Sequence, residues 1–329
     1  MKSFYELRDR TVLSASPETA QIQVYATPDN AEKKELVESL HIDPHDLESA
    51  LDPDEISRVE ITPEHTYIVW KRPNNVSFEQ ELKFEVSSVG LFLHAQGLTL
   101  ILGESTLPFA AKEFQNVASY LGIVLKFFLH TVHHFLGHLK AIKQINGELQ
   151  SKLNLTMENR YLVQMFTLGE SLIYYLNALE ANSAVLTKLR ANADKLGFSK
   201  EELEMIDDII IEHQQCCRQT QIYSTVLSGL MDARGNIVNN NMNILLRNLT
   251  LINVVFLPLN LIAGIGGMSE FSMMTTGVHW VVAYSGLLLA MSGLGWVTWK
   301  FLLKKLDRGK RTIKRTGISK ARLKHVLAK

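Results

Sequence analysis

From Leu249 to Met268 the chain carries no charged residue, a length that crosses a bilayer as an α-helix, yet polar groups recur along it at helical spacing. Asp232, Asn236, Asn239, Asn243, Leu246, Thr250, Asn253, Leu257, Asn260, Gly264 and Gly267 follow one another at alternating three- and four-residue steps. That period keeps one seam of a long helix facing one way, as in a coiled coil. A coiled-coil seam is apolar, whereas this one is mostly amide, hydroxyl or glycine. Asn253 and Asn260 are costly against lipid, so the seam has to face protein or water. Two readings follow: the wall of a pore shared by symmetric copies, or polar glue between helices.

A second span, 280–303, is uncharged until Lys300 and carries Trp280, Trp296 and Trp299 near its ends, where indole rings favour the interface. The overall charge balances, with 34 Lys/Arg against 34 Asp/Glu, but it is segregated. Acids outnumber bases upstream of the first span, while in 304–329 Asp307 is the sole acid among many Lys and Arg. By the positive-inside rule that tail is cytoplasmic. Two spans return the chain to the side it left, so the large N-terminal part is expected in the cytoplasm as well, with only a short loop outside. The sequence opens without an apolar stretch, so no secretory signal is expected. The adjacent pair Cys216 and Cys217 reads as reduced cytosolic thiols, with a reactive dithiol as the alternative.

The expected organisation is a cytoplasmic α/β domain over 1–110, a cytoplasmic helical region over 111–198 and a stalk helix over 199–248. A first transmembrane pore helix over 249–268, an external loop over 269–279, a second transmembrane helix over 280–303 and a basic cytoplasmic tail over 304–329 complete it. In the first domain Ala20–Tyr25 and Thr66–Lys71 alternate like strands, and Phe84–Phe92 with Leu98–Leu102 reads as a hairpin. Ala31–Leu40 and Pro44–Ala50 have helical character. No proline lies between Pro108 and Pro258, which suits long helices, with a break near Leu196–Ser199. Ser199 and Glu202 form a capping box for a last helix that runs on to about Gly267, roughly 100 Å at 1.5 Å per residue. A helix of that length needs neighbours, which implies an oligomer of parallel stalks. Pro258 is a candidate kink.

The segments VVFLPLNLIAGIGGMS (Val254–Ser269), SGLMDARGNIVNNNMNILLRNLT (Ser228–Thr250) and LDPDEISRVE (Leu51–Glu60) resemble the CorA-type divalent-cation channels. The signature of that family is a first span ending in Gly-Met-Asn. The resemblance implies a funnel-shaped homopentamer, in an inner (plasma) membrane of bacterial type, with five first spans around the pore. It makes Asp232, Asn239, Asn243, Leu246, Leu249, Thr250, Asn253, Leu257, Asn260 and Gly264 pore-lining. Among these, Leu246, Leu249 and Leu257 match the neighbourhood of hydrophobic constrictions that gate by excluding water. Here the signature reads Gly267-Met268-Ser269, with serine in place of the asparagine whose ring receives the hydrated ion. Mg²⁺ sheds its water reluctantly, so neutral acceptors suit such a mouth, and a serine ring is wider than an asparagine ring. Glu270 follows, either as a carboxylate ring that concentrates cations or as a solvated loop residue.

His130, His134 and His138 recur at four-residue steps, which puts them on one helix face as a possible Zn²⁺ site or as ordinary packing residues. Asp207 and Asp208 fall where the resembling family keeps acidic ligands of a regulatory ion, with a solvated acidic face as the alternative. The basic tail suits anionic lipid headgroups, and nothing in the sequence supports nucleic-acid binding. No GxxxxGK[ST] loop and no nucleophile–base set is present, so no enzyme activity and no catalytic cofactor are expected. Divalent metal ions enter instead as transported and regulatory ligands, with Mg²⁺, Zn²⁺, Ni²⁺ and Co²⁺ all compatible. The second functional reading is a transport-impaired relative that serves sensing or scaffolding, and it rests on Ser269, the histidines and the tail.

Overall fold

The computed structural model describes residues 1–75, 83–94, 97–103, 109, 114–155, 159–274 and 276–316, without the side chains of 153–155, 270–272, 302–303 and 305–316. The chain forms two compact units, Met1–Asp232 and Ala233–Lys329, so the boundary falls inside the stretch expected as stalk.

The first unit is built on a seven-stranded sheet, β1 (Lys2–Arg8), β2 (Thr11–Ser14), β3 (Ile22–Ala26), β4 (Arg58–Ile61), β5 (His65–Pro73), β6 (Val86–His94) and β7 (Gly97–Leu102). Its order is β2-β1-β3-β7-β6-β5-β4, with β3 and β7 parallel and every other pair antiparallel. Strands β1, β2 and β4 are absent from the expectations above. They lie at or next to the sheet edges and are half-buried, β1 and β4 carry charged residues and β2 is only four residues long, so they lack the continuous apolar run of the central strands.

The period-two alternation of the central strands feeds two cores. Tyr25, Tyr67, Val69, Phe92 and Ile101 point to one face and pack with Leu36 of α1 (Asn30–Glu38) and with Leu47 and Ala50 of α2 (Pro44–Leu51). Helix α2 sits so close that a Cβ on Gly90 would lie 2.5 Å from the Ala50 Cβ, which leaves room for glycine alone. Val24, Ile68, Trp70, Leu91 and Leu100 point to the other face and meet Val124 and Phe128 of α3 (Tyr120–Leu155) and Leu186 and Leu189 of α4 (Asn159–Ala191). Ile206 and Ile209 of α6 (Lys200–Gly266) complete that layer.

Asn182 of α4 is fully buried at the end of β4, where β5 loses its neighbour. Its Oδ1 accepts from the Lys71 backbone N–H at 3.0 Å and its Nδ2 donates to the Lys71 carbonyl at 2.8 Å. The amide thus continues the ladder that β4 cannot, and the Ser57 hydroxyl donates to the same Oδ1 at 2.7 Å. Beyond the sheet, Phe135, Leu139 and Ile142 of α3 pack with Leu168, Leu172 and Leu179 of α4 and with Cys216 and Leu227 of α6 in a separate helical core.

A short helix α5 (Ala193–Leu196) ends at Gly197, whose φ of +71° is open to glycine. The capping box then starts α6: the Ser199 N–H donates to Glu202 Oε2 at 2.8 Å and the Glu202 N–H to Ser199 Oγ at 3.3 Å. Helix α6 continues through Pro258 without interruption, so the proline ends nothing.

The second unit holds the remainder of α6, then α7 (Ser269–Met274) and α8 (Trp280–Thr316). Two expectations change here. The segment 269–279, read as a loop, begins with a helix over Ser269–Met274. The tail 304–329, read as a separate element, continues α8 as far as Thr316. A charge boundary marks where a membrane ends, and a helix has no reason to stop there, since Lys and Arg are good helix formers.

Candidate functional site

Every member of the seam from Asp232 to Gly267 is exposed in the chain. In the charge-free stretch the residues that are not exposed form a stripe of their own: Leu251, Val255, Pro258, Leu259, Ile262 and Gly266. This stripe carries α8. A Cβ on Gly266 would lie 2.5 Å from Leu287 Cδ2, and one on Gly295 would lie 3.7 Å from Leu259 Cδ1. The Tyr284 hydroxyl reaches the Gly266 carbonyl at 3.4 Å.

Val255, Ile262 and Gly266 each follow Asn253, Asn260 and Gly264 by two residues, a rotation of about 200° at 3.6 residues per turn. The polar seam therefore lies on the side of α6 opposite α8 and is not glue between the two helices of one chain. Among the described residues neither the Asn253 nor the Asn260 amide has a hydrogen-bond partner. The Thr250 hydroxyl returns to its own helix, donating to the Leu246 carbonyl at 2.8 Å. Leu246, Leu249 and Leu257 interrupt the polar run as exposed apolar positions, with Leu257 the most open at 71 %. Asn239 and Asn243 continue the line upstream. Gly267, Met268 and Ser269 are exposed at the helix end, and Glu270 is helical with its side chain outside the described atoms.

The other candidate sites lie in the first unit. The His134 and His138 rings touch edge to face at 4.4 Å between centroids, and His130 and His134 are 6.4 Å apart. Burial pushes His134 down to about 4, with further lowering from His138, His130 and Arg72, and burial alone pushes His138 down to about 4. His138 Nδ1 lies 2.6 Å from the Tyr175 hydroxyl, and its ring stacks on Tyr175 and meets the Phe84 edge. Among the described residues no group of three His, Cys, Asp or Glu side chains could hold a metal ion. The three histidines share a face, and on it His138 packs against Tyr175 and Phe84.

Arg190 of α4 takes both oxygens of Asp207, with Nε at 2.6 Å from Oδ1 and Nη2 at 3.1 Å from Oδ2. That hydrogen-bonded guanidinium holds the Asp207 carboxyl below its usual range. The acid left open on this stretch of α6 is Asp208, which is exposed. Burial raises Cys216 to about 12 and Cys217 to about 11, so the free thiols stay protonated and do not form a reactive dithiol. The pairing of His133 with Glu212 at 3.0 Å, and of Asp207 with Arg190, joins residues far apart in sequence, and no local pattern announces either.

Among the described residues two helices are long and apolar enough to cross a membrane: α6, with a stretch of mean hydropathy 2.0, and Trp280–Phe301 at the start of α8, with 1.5. The class is that of an integral membrane protein with a substantial α/β unit. A family model described as CorA-like Mg²⁺ transporter protein matches residues 23–305, and the chain belongs to that family of divalent-cation transporters. The cobalt/magnesium transport protein CorA of Methanocaldococcus jannaschii is 25 % identical over 251 residues, covering 74 % of this chain and 77 % of the relative. The complete structure of the CorA magnesium transporter from the same organism superposes with a TM-score of 0.74 at 19 % identity, covering 92 % of this chain and 96 % of that one. The structure of the full-length CmaX protein gives 0.67 at 14 % identity, covering 91 % and 97 %. These two likenesses carry the fold.

Proposed function

We propose that this chain is a channel for divalent cations in which α6 of each protomer lines the pore of a symmetric ring, a pentamer by family resemblance. The observation that carries the reading is the exposed polar seam on the face of α6 opposite α8. Within a membrane such a face needs water or protein, and a shared aqueous axis supplies water to every copy at once. Asn253 and Asn260 offer amide oxygens to the water shell of a passing ion, while Leu257 narrows the path with an apolar ring. Gly267, Met268, Ser269 and Glu270 form the outer mouth, and α8 faces lipid.

The cargo is written as a hydrated divalent cation. The relative named for cobalt and magnesium transport supports Mg²⁺ and Co²⁺ as the first candidates. The serine at position 269 supports a second reading, a protein that keeps the pore architecture and has lost efficient entry. Asp208 rather than Asp207 is the carboxylate we assign to a regulatory ion between protomers, because Arg190 occupies Asp207.

The test is uptake of Mg²⁺, Co²⁺, Ni²⁺ and Zn²⁺ into proteoliposomes that carry the purified full-length protein. Saturable uptake above that of empty vesicles is expected. Its absence for all four ions would overturn the transport reading and leave the scaffolding one.

A further inference from the structure

The sheet face that carries α1 and α2 extends past its apolar core at one end. His65 stands two residues before Tyr67 on β5, and His94 two residues after Phe92 on β6. The alternation that buries Tyr67 and Phe92 therefore puts both histidines on that same face. The register pairs them directly, His65 opposite His94. Their rings lie 6.2 Å apart between centroids, at an interplanar angle of 48°, and both residues are half-buried.

His138 has a partner in Tyr175, but among the described residues neither the His65 nor the His94 ring is hydrogen-bonded. His94 Nε2 is buried and unmet, although buried polar atoms are normally paired. The same residue lines a cavity of about 440 Å³ with Glu64, Gln23, Thr99, Ser39 and Leu40. A carboxylate beside an unpaired imidazole suits a cation. Burial, and after it the neighbouring His65, lower His94 from its ordinary value of 6.5. At neutral pH the ring is therefore uncharged and has a lone pair to give.

We propose that His65 and His94 form a transition-metal site on the first unit, with one ring nitrogen of each on a Co²⁺, Ni²⁺ or Zn²⁺ ion and water in the remaining positions. Two imidazoles on one tetrahedral ion, each nitrogen about 2.0–2.1 Å from the metal, have ring centres roughly 5 Å apart. A small turn of either side chain closes the present 6.2 Å to that separation. Imidazole suits these ions, whereas Mg²⁺ prefers oxygen, so the site separates two classes of divalent cation. With only two protein ligands the bound ion stays open to exchange, as suits a site that responds to metal concentration. The site lies wholly in the first unit and is independent of whether α6 lines a pore.

The test is equilibrium dialysis of the tag-free, full-length protein in detergent against Co²⁺, in a large excess of Mg²⁺ that fills oxygen-only sites. Wild type is expected to retain about one Co²⁺ per chain more than either His65→Gln or His94→Gln, since each variant leaves a single imidazole. Equal retention in wild type and His65→Gln would overturn the site. So would a loss confined to His94→Gln, because one ring alone, or a disturbed strand end, would then account for it. Retention that vanishes from wild type as Mg²⁺ is raised would assign the ion to carboxylates and overturn the site as well. None of these outcomes involves uptake, so the channel reading stands or falls separately, by flux.

Discussion

At the scale of the residue, the seam mixes two chemistries, and each makes its own demand. Leu257 is the more exposed of the two seam leucines at 71 %, a position that no packing within the chain requires to be apolar. A narrow apolar ring holds a pore dry, and an amide at the same place wets it. Leu257→Asn is therefore expected to raise basal leak of divalent cations about tenfold in a reconstituted flux assay. An unchanged leak would remove Leu257 as the constriction. Away from the seam, His138 is tuned by burial. Its ordinary value is 6.5 and its folded value about 4, so between these the unfolded chain binds a proton that the folded chain refuses. The stabilising contribution is complete above pH 6.5 and is lost as the pH falls toward 4. Its Nδ1 lies 2.6 Å from the Tyr175 hydroxyl, and a charged ring makes both of its nitrogens donors. The melting temperature of the purified protein should fall from pH 7 to pH 5. His138→Gln, whose neutral amide can donate to or accept from Tyr175, should flatten that slope by up to about one proton. An identical slope in the variant would show that His138 does not titrate this way.

At the scale of the element, the contact between α6 and α8 turns on Gly266. Any side chain there must displace the end of Leu287, whose Cδ2 lies 2.5 Å from the place a Cβ would take. Gly266→Ala is expected to lower stability by about 1–2 kcal/mol through overpacking, read as a lower melting temperature in detergent. Leu287→Ala introduced beside it should recover most of the loss, and a loss unaffected by Leu287→Ala would place the strain elsewhere. This contact was not legible in the sequence, because it joins residues on two helices whose pairing no local pattern fixes. The seam was legible, because period and polarity are local properties of α6, and so were the long helices, since a proline-free run with a capping box at Ser199 leaves few alternatives. Strands β1, β2 and β4, at or next to the sheet edges, were not, because half-buried strands that are broken by charges or only four residues long lack a continuous apolar signal. The histidine triplet shows the same limit at the candidate site. Its spacing was visible, but Tyr175 and Phe84, against which His138 packs, come from distant parts of the chain.

At the scale of the whole molecule, the question is what a family member does when the last residue of its signature changes. Ser269 is exposed at the start of α7, immediately after the exposed Gly267 and Met268. A serine hydroxyl accepts from an ion's water shell as an asparagine carbonyl does, but from a shorter side chain, so a ring of serines leaves more space between acceptor and axis. Mg²⁺ holds its waters most firmly and gains most from a ring matched to its hydrated size. Transition metals exchange water for ligands more readily and depend less on that match. Ser269→Asn is therefore expected to raise Mg²⁺ uptake relative to Co²⁺ and Zn²⁺, by a factor of about three or more in proteoliposomes assayed in parallel with wild type. If the ion ranking stays the same while uptake continues, the mouth does not set selectivity, and the choice passes to the deeper amides, Asn253 and Asn260. If wild type is silent and the variant takes up Mg²⁺, the pore is intact and the serine disables its entrance, which is the outcome that would favour a sensing or scaffolding role for the natural protein.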